Sequence, residues 1–326
     1  MNHHIYHVLS DWYPKRDEGR WLVATIVATE GSSYRKAGAM MLFNDKGIQL
    51  GVVSGGCLEN DILHQARRCW ERGVSRIVTY DMQEEGDIAW RLGLGCGGEV
   101  TLLLQPVDGI SGYLGLPELL AKLEKSMPCY YIQPLSEGKP HAMVSETSSS
   151  IDGVFVCEIT PPPVLVILGG GVDAIPVSDI ANRLGWHVIV NDSRPRYARA
   201  KDFISATQTA ALPANALDQA AWYHKAQGII VMHHHVQMDA DSLRMLAQVA
   251  PDKLVYLALL GPYHRAERVL KEAGITEADL PTALFAPAGL AIGGDLPESI
   301  ALSMLSQAHG VFHHKPADGL KGLPCR

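Results

Sequence analysis

The chain carries no CxxC pair, although it holds six cysteines, at 57, 69, 96, 129, 157 and 325. That scatter excludes the usual structural zinc site, and in 326 residues it is too sparse for a disulfide scaffold. No apolar run reaches membrane-spanning length and no charged-then-apolar leader opens the sequence, so the expectation is a cytoplasmic protein without a membrane partner. Basic residues are not in excess. Lys plus Arg is 28 against 35 Asp plus Glu, a net charge of −7, which argues against a nucleic-acid surface. There is no Gly-x-Ser-x-Gly elbow, Walker loop, zinc-protease motif, internal repeat or iron–sulfur cysteine pattern.

Hydrophobic residues make up 47% of the chain, enough for two buried cores at this length. Trp21–Thr29 is a continuous apolar, β-branched run and reads as a buried strand. Strands over 38–43 and 48–53 follow, with Asn44–Gly47 as the turn between them. A helix is expected over 58–72 with Gly73 as its stop, then strands over 75–81 and 99–105. Between 106 and 163 a helix over 116–125 and short strands over 129–133, 141–144 and 153–159 are expected, extending the first sheet or covering its edge.

Thr160-Pro161-Pro162-Pro163 is the clearest linker signal. After it strands alternate with helices: strands over 164–168, 187–191, 228–232 and 254–260, helices over 174–184, 240–249, 266–273 and 297–307. That alternation predicts a parallel sheet covered on both faces. The expected class is α/β, with a mixed N-terminal α/β domain over 1–108 and a connecting region over 109–162. A Rossmann-like doubly wound parallel sheet follows over 163–312, and a loose tail over 313–326.

Two glycine-cysteine turns stand out, Ser54-Gly55-Gly56-Cys57 and Gly93-Leu94-Gly95-Cys96-Gly97-Gly98. Each sets a lone thiol among exposed amides, where a thiolate forms more easily and can attack or bind metal. Cys57 also precedes a helix, with Glu59, Asn60 and Asp61 expected to cap it. Cys69, Cys129 and Cys157 fall in helix- or strand-like runs and read as core residues. Ser32, Ser33 and Arg35 offer hydroxyls and a cation to an anion in one tight loop.

A third turn, Gly169-Gly170-Gly171-Val172-Asp173-Ala174, fits the phosphate-binding turn between a strand and a helix. Asp192 ends the next strand at the interval expected of an acid holding a ribose hydroxyl, and the basic run Arg194, Arg196, Arg199 and Lys201 follows it. The ligand is NAD(P) or another phosphate-bearing molecule. His233-His234-His235 ends a strand, where alternating directions prevent all three from chelating one ion. One of them, His234, is a candidate ligand contact.

The run from Ala24 to Glu59, ATIVATEGSSYRKAGAMMLFNDKGIQLGVVSGGCLE, resembles the N-terminal domain of the XdhC/CoxI family. Asp87-Ile-Ala-Trp90 with the second cysteine turn is similar to the same family. So are the glycine turn, Asn191–Pro195, Leu259–Pro262 and Ala286–Gly293 of its Rossmann domain. Val172 stands where that family often has histidine, and His233–His235 replaces its usual Thr-His-Asp.

The resemblance implies an accessory protein that binds molybdenum cofactor (molybdopterin). Such a protein holds it for sulfuration by a cysteine desulfurase and inserts it into a xanthine dehydrogenase-type apo-enzyme. It implies Cys57 and Cys96 as the family's reactive, molybdenum-facing cysteines, flanked by Gly55 and Gly56, and Gly169, Gly171 and Asp192 as its nucleotide-type site. With soft thiolates for the metal and helix-start amides for the phosphate, the cofactor is expected between the domains. The chain then acts as a chaperone more than as a catalyst, and a homodimer is expected. The competing readings are an NAD(P)-dependent oxidoreductase and a cofactor-free scaffold between desulfurase and target enzyme.

Overall fold

A computed structural model describes residues 3–56, 58–81, 98–148 and 151–316. The chain divides into two compact units, Met1–Pro162 and Pro163–Arg326. No helix among the described residues is long and apolar enough to cross a membrane.

The N-terminal unit begins with α1 (Ile5–Trp12) and continues through β1 (Trp21–Gly31), β2 (Met40–Asn44), β3 (Gln49–Gly51), α2 (Glu59–Arg72), β4 (Arg76–Asp81) and β5 (Gly98–Val107). The five strands form one antiparallel sheet in the order β3-β2-β1-β5-β4. β1 is its centre, and the alternation of a strand explains why its first six residues are all buried. Trp21 and Val23 face a core shared with α1 (Val8, Leu9, Trp12), while Leu22, Ala24 and Ile26 face a second core under Ile62, Ala66 and Cys69 of α2.

Helix α3 (Leu116–Glu124) and strands β6 (Cys129–Pro134), β7 (Met143–Ser145) and β8 (Val154–Ile159) complete this unit. These strands do not extend the first sheet. They form their own antiparallel sheet, β7-β6-β8, which packs with α3 on the Trp21 face. Gln133 of β6 is buried, and its amide donates to Thr25 Oγ1 at 3.1 Å and to Gln105 Oε1 at 2.8 Å. Buried amides demand partners, so this contact fixes one sheet's register against the other.

The C-terminal unit runs β9 (Val164–Leu168), α4 (Ala174–Arg183), β10 (His187–Asn191), β11 (Gln208–Ala210), β12 (Gly228–Val231), α5 (Val236–Gln248), β13 (Tyr256–Leu259), α6 (Tyr263–Ala273), β14 (Leu284–Phe285) and α7 (Pro297–Phe312). All strand pairs are parallel, in the order β11-β10-β9-β12-β13-β14. Val166 and Leu168 point to the core under α5 and α6, Leu165 and Ile167 to the core under α4 and α7. This is a Rossmann-type, doubly wound sheet. From β9 the chain winds outward through β10 and β11, then returns to place β12 on the other side of β9. The strand order reverses at that point, and a crevice opens beyond the carboxyl ends of β9 and β12.

Candidate functional site

In the N-terminal unit, three segments meet at the end of β1. Gly31 pairs with Gly98 in the β1–β5 register. A Cβ on Gly98 would overlap the Ser32 carbonyl oxygen and lie 2.8 Å from the Ser32 amide. Only glycine tolerates that approach. On the other side, a Cβ on Gly55 would rest 3.8 Å from the Tyr34 ring. The loop carrying Ser32, Ser33, Tyr34 and Arg35 therefore touches the residue that leaves the second cysteine turn and the turn that enters Cys57. Ser33 and Arg35 are not buried, and Tyr34 is 64% exposed. Cys57 and Cys96 lie outside the described residues.

The cap expected from Glu59, Asn60 and Asp61 comes instead from Ser54. No side chain of the first turn caps α2. Ser54 Oγ accepts from the Leu58 amide at 3.2 Å and the Gly56 amide at 3.3 Å, and donates to Glu59 Oε2 at 2.5 Å. One hydroxyl thus ties Gly56, Leu58 and Glu59 together. Ser54→Ala is expected to lower the stability of the unit by about 1 kcal/mol, measurable by urea unfolding.

Burial pushes the Cys69 thiol up to about 11, opposed by Arg76, and raises Cys129 and Cys157 as well. These three thiols are held protonated and serve as packing. Among the described residues no three His, Cys, Asp or Glu side chains converge as a metal site.

At the crevice of the C-terminal unit, three consecutive glycines have different reasons to be glycine. A Cβ on Gly169, which has φ +123°, would overlap the Met232 carbonyl oxygen and lie 2.6 Å from the His233 amide. On Gly170 it would overlap the Ala198 amide nitrogen. On Gly171 it would meet only the His234 ring, at 3.8 Å. The protein's own packing requires the first two and leaves the third free. The Gly171, Val172 and Asp173 amides have no acceptor among the described residues, and they lead directly into α4. Free amides at a helix start form a ready anion seat.

Asp192 lies beneath this turn, fully buried. Its Oδ2 accepts from the Gly170 amide at 2.9 Å and Arg194 Nη2 at 2.7 Å. Its Oδ1 accepts from the Arg194 amide at 3.0 Å and Arg194 Nε at 2.9 Å. Burial pushes its carboxyl up, but the Arg194 guanidinium and the two amides outweigh that and hold it below the ordinary range. All four lone-pair directions of the carboxylate are occupied, so in this geometry the acid braces the glycine turn and Arg194 instead of offering an acceptor to a ribose hydroxyl. Arg194 is held further by the His233 carbonyl at 3.2 Å and lies 3.7 Å over the Tyr197 ring. Of the basic run after it, Arg199 pairs with Asp202.

The three histidines take three separate roles. His233 is buried, and its Nδ1 lies 2.9 Å from Asp239 Oδ1, which also accepts from the His233 amide at 3.1 Å. His234 adopts φ +57°, is half-exposed and places Nε2 2.9 Å from Asp173 Oδ2, directly over Gly171. His235 caps α5 by accepting from the Met238 amide at 3.4 Å. They cannot share one ion.

Residues 165–308 match the XdhC Rossmann domain, and residues 15–81 match the XdhC and CoxI family. The chain belongs to the XdhC/CoxI family. It is 29% identical over 315 residues to a probable xanthine dehydrogenase subunit of Bacillus subtilis (strain 168), covering 89% of this chain and 93% of that protein. It is 24% identical over 306 residues to the molybdenum cofactor insertion chaperone PaoD of Escherichia coli (strain K12), covering 91% of this chain and 85% of that one. A crystal structure described as a xanthine dehydrogenase from Bacillus halodurans superposes with a TM-score of 0.81 at 29% identity, covering 96% of this chain and 97% of that one.

This XdhC/CoxI chain also has an ion pair that its sequence did not disclose, Asp239 and Arg265. Asp239 Oδ2 is bound by Arg265 Nη2, and Arg265 Nη1 donates to the Leu260 carbonyl at 2.9 Å. Burial pushes the Asp239 carboxyl up, but His233 and Arg265 outweigh it and hold it low. The pair ties together the ends of β12 and β13 and sets the course of the histidine loop. An acid in the first turn of a helix is ordinary, so the burial of Asp239 gave no signal in the sequence.

Proposed function

We propose that this protein is an accessory protein of a xanthine dehydrogenase-type molybdenum enzyme. It holds the molybdenum cofactor as cargo during sulfuration by a cysteine desulfurase and delivers it to the apo-enzyme. The chaperone role of the Escherichia coli relative supports this reading. The observation that carries it is the contact of Gly55 and Gly98 with the two sides of the Ser32–Tyr34 loop. Gly55 lies two residues before Cys57 and Gly98 two residues after Cys96, and soft thiolates from those cysteines suit a molybdenum–sulfur centre. Ser32, Ser33 and Arg35 of that loop supply hydroxyls and positive charge for an anion.

In the C-terminal unit the free amides of the Gly171 turn, with His234 above, suit the phosphate of a pterin or nucleotide. The saturated Asp192 carboxylate speaks against an NAD(P) ribose in the usual place and so against the oxidoreductase reading.

The test is the Cys57→Ser/Cys96→Ser double variant, produced in a molybdenum-replete host. The expected result is loss of at least nine-tenths of the co-purifying molybdenum, since even a change behind a metal's ligands costs about tenfold or more in affinity, with unchanged circular dichroism. Undiminished molybdenum and unimpaired insertion would remove the thiols from the site.

A further inference from the structure

The carboxyl end of α7 carries two histidines that neither the cysteine turns nor the crevice uses. The His313 amide donates to the His309 carbonyl at 3.1 Å. Helical geometry therefore runs on to the capping residue, and the two side chains, at i and i+4, share one face. Their ring centres lie 4.3 Å apart, with the ring planes inclined at 52°. Both residues are exposed. Among the described residues no hydrogen bond or ion pair engages either ring.

The pair is also oriented. The His309 ring lies parallel to that of Trp186, 6.2 Å between centres, and Trp186 is itself buried against Phe312. Partial burial and the neighbouring His313 hold the His309 imidazole below its ordinary value, so it stays neutral at pH 7 and keeps a bare ring nitrogen. The carboxyl end of a helix carries partial negative charge, which favours a cation there. Phe312 abuts Gly228, the first residue of β12, so this end of α7 lies at the amino ends of the strands, opposite the crevice.

Two histidines at i and i+4 on one helix face can hold a single metal ion. An imidazole nitrogen ligates at about 2.0–2.1 Å, which puts the centres of two ligating rings about 4.5 Å apart at a right angle and about 5.2 Å apart at the tetrahedral angle. The observed 4.3 Å fits the right angle. Nitrogen donors at right angles suit Ni²⁺ and Cu²⁺, whereas tetrahedral Zn²⁺ would require the rings to spread.

We propose that His309 and His313 chelate one divalent ion of the Ni²⁺ and Cu²⁺ class, with water completing its shell. The site stands apart from the cysteine turns and does not depend on the cofactor-carrying role.

The test is isothermal titration calorimetry with Ni²⁺ at pH 7.5 on the full chain, purified free of metal, beside His309→Gln, His313→Gln and the double variant. Both positions are exposed, so the variants are expected to fold. Each single substitution is expected to weaken one nickel site at least tenfold, since even a change behind a metal's ligands costs about that much. The double variant is expected to bind no worse than either single one, because one ion needs both rings. Zn²⁺ is expected to bind this site more weakly than Ni²⁺, and tighter zinc would overturn the right-angled assignment. Other histidines and the thiols also take nickel, so the imidazole resonances locate the ion. The His309 and His313 signals, assigned from the variants, are expected to broaden first under paramagnetic Ni²⁺. Nickel affinity unchanged in all three variants, or broadening confined to other histidines, overturns the proposal.

Discussion

Alanine at Gly169 is expected to destabilise the C-terminal unit by on the order of 3–5 kcal/mol, the sum of a left-handed backbone strain and an overpacked contact. The new Cβ would press on the Met232 carbonyl and the His233 amide, both on the neighbouring strand end, which cannot move without breaking the β9–β12 pairing. Gly170→Ala meets the Ala198 backbone and is expected to behave similarly. Gly171→Ala is the informative contrast. It has room, and its stability is expected within about 0.5 kcal/mol of wild type, while binding of a phosphate-bearing ligand weakens at least tenfold. Thermal unfolding of the three variants, followed by ligand titration of the third, checks both halves. A Gly171→Ala protein that binds phosphate ligands normally would leave the turn as packing only.

Removing the charge at Asp239 is the second large effect. Asp239→Asn takes one member out of a buried pair and leaves Arg265 without its anion, which costs about 3–5 kcal/mol. The pH dependence has a definite sign. The folded carboxyl is held below its ordinary value, so its contribution is complete above the unfolded range near about 3.9. That contribution is lost as pH falls through the lower folded value. Asp192 acts in the same direction. Wild type and Asp239→Asn are therefore expected to differ most at neutral pH and to converge in acid. Urea unfolding between pH 3 and pH 7 checks this, and a constant difference across that window would show that Asp239 is not ionised in the folded state.

Much of the fold was legible because burial leaves a pattern. β9 is apolar without a break, and the buried first half of β1 nearly so, because each is a central stretch covered on both faces, and the residues of each divide alternately between two cores. The glycine turn was legible because a strand, three glycines and a helix start occur together. The small sheet β7-β6-β8 was harder to place. Its strands are short, and what seats them is the Gln133 amide on Thr25, a contact between residues 108 positions apart.

At the candidate sites the sequence marked the flexible residues and missed their supports. Ser54 read as part of a turn, and its capping of α2 depends on a side-chain rotamer. Asp192 was placed correctly at a strand end, but its occupancy by Arg194 depends on where a neighbouring guanidinium folds back. Asp239 and Arg265 lie 26 positions apart on two helices and meet only in the folded unit.

The direct test of a cofactor-carrying role is to purify the wild-type chain from a molybdenum-replete host and measure bound pterin by fluorescence and bound molybdenum by mass spectrometry. A carrier is expected to retain the two in equal amounts, and to lose both when made in a host unable to build the pterin. A chain that emerges with neither, yet still restores xanthine dehydrogenase activity in cells lacking it, would contradict the carrier role and leave a cofactor-free scaffold.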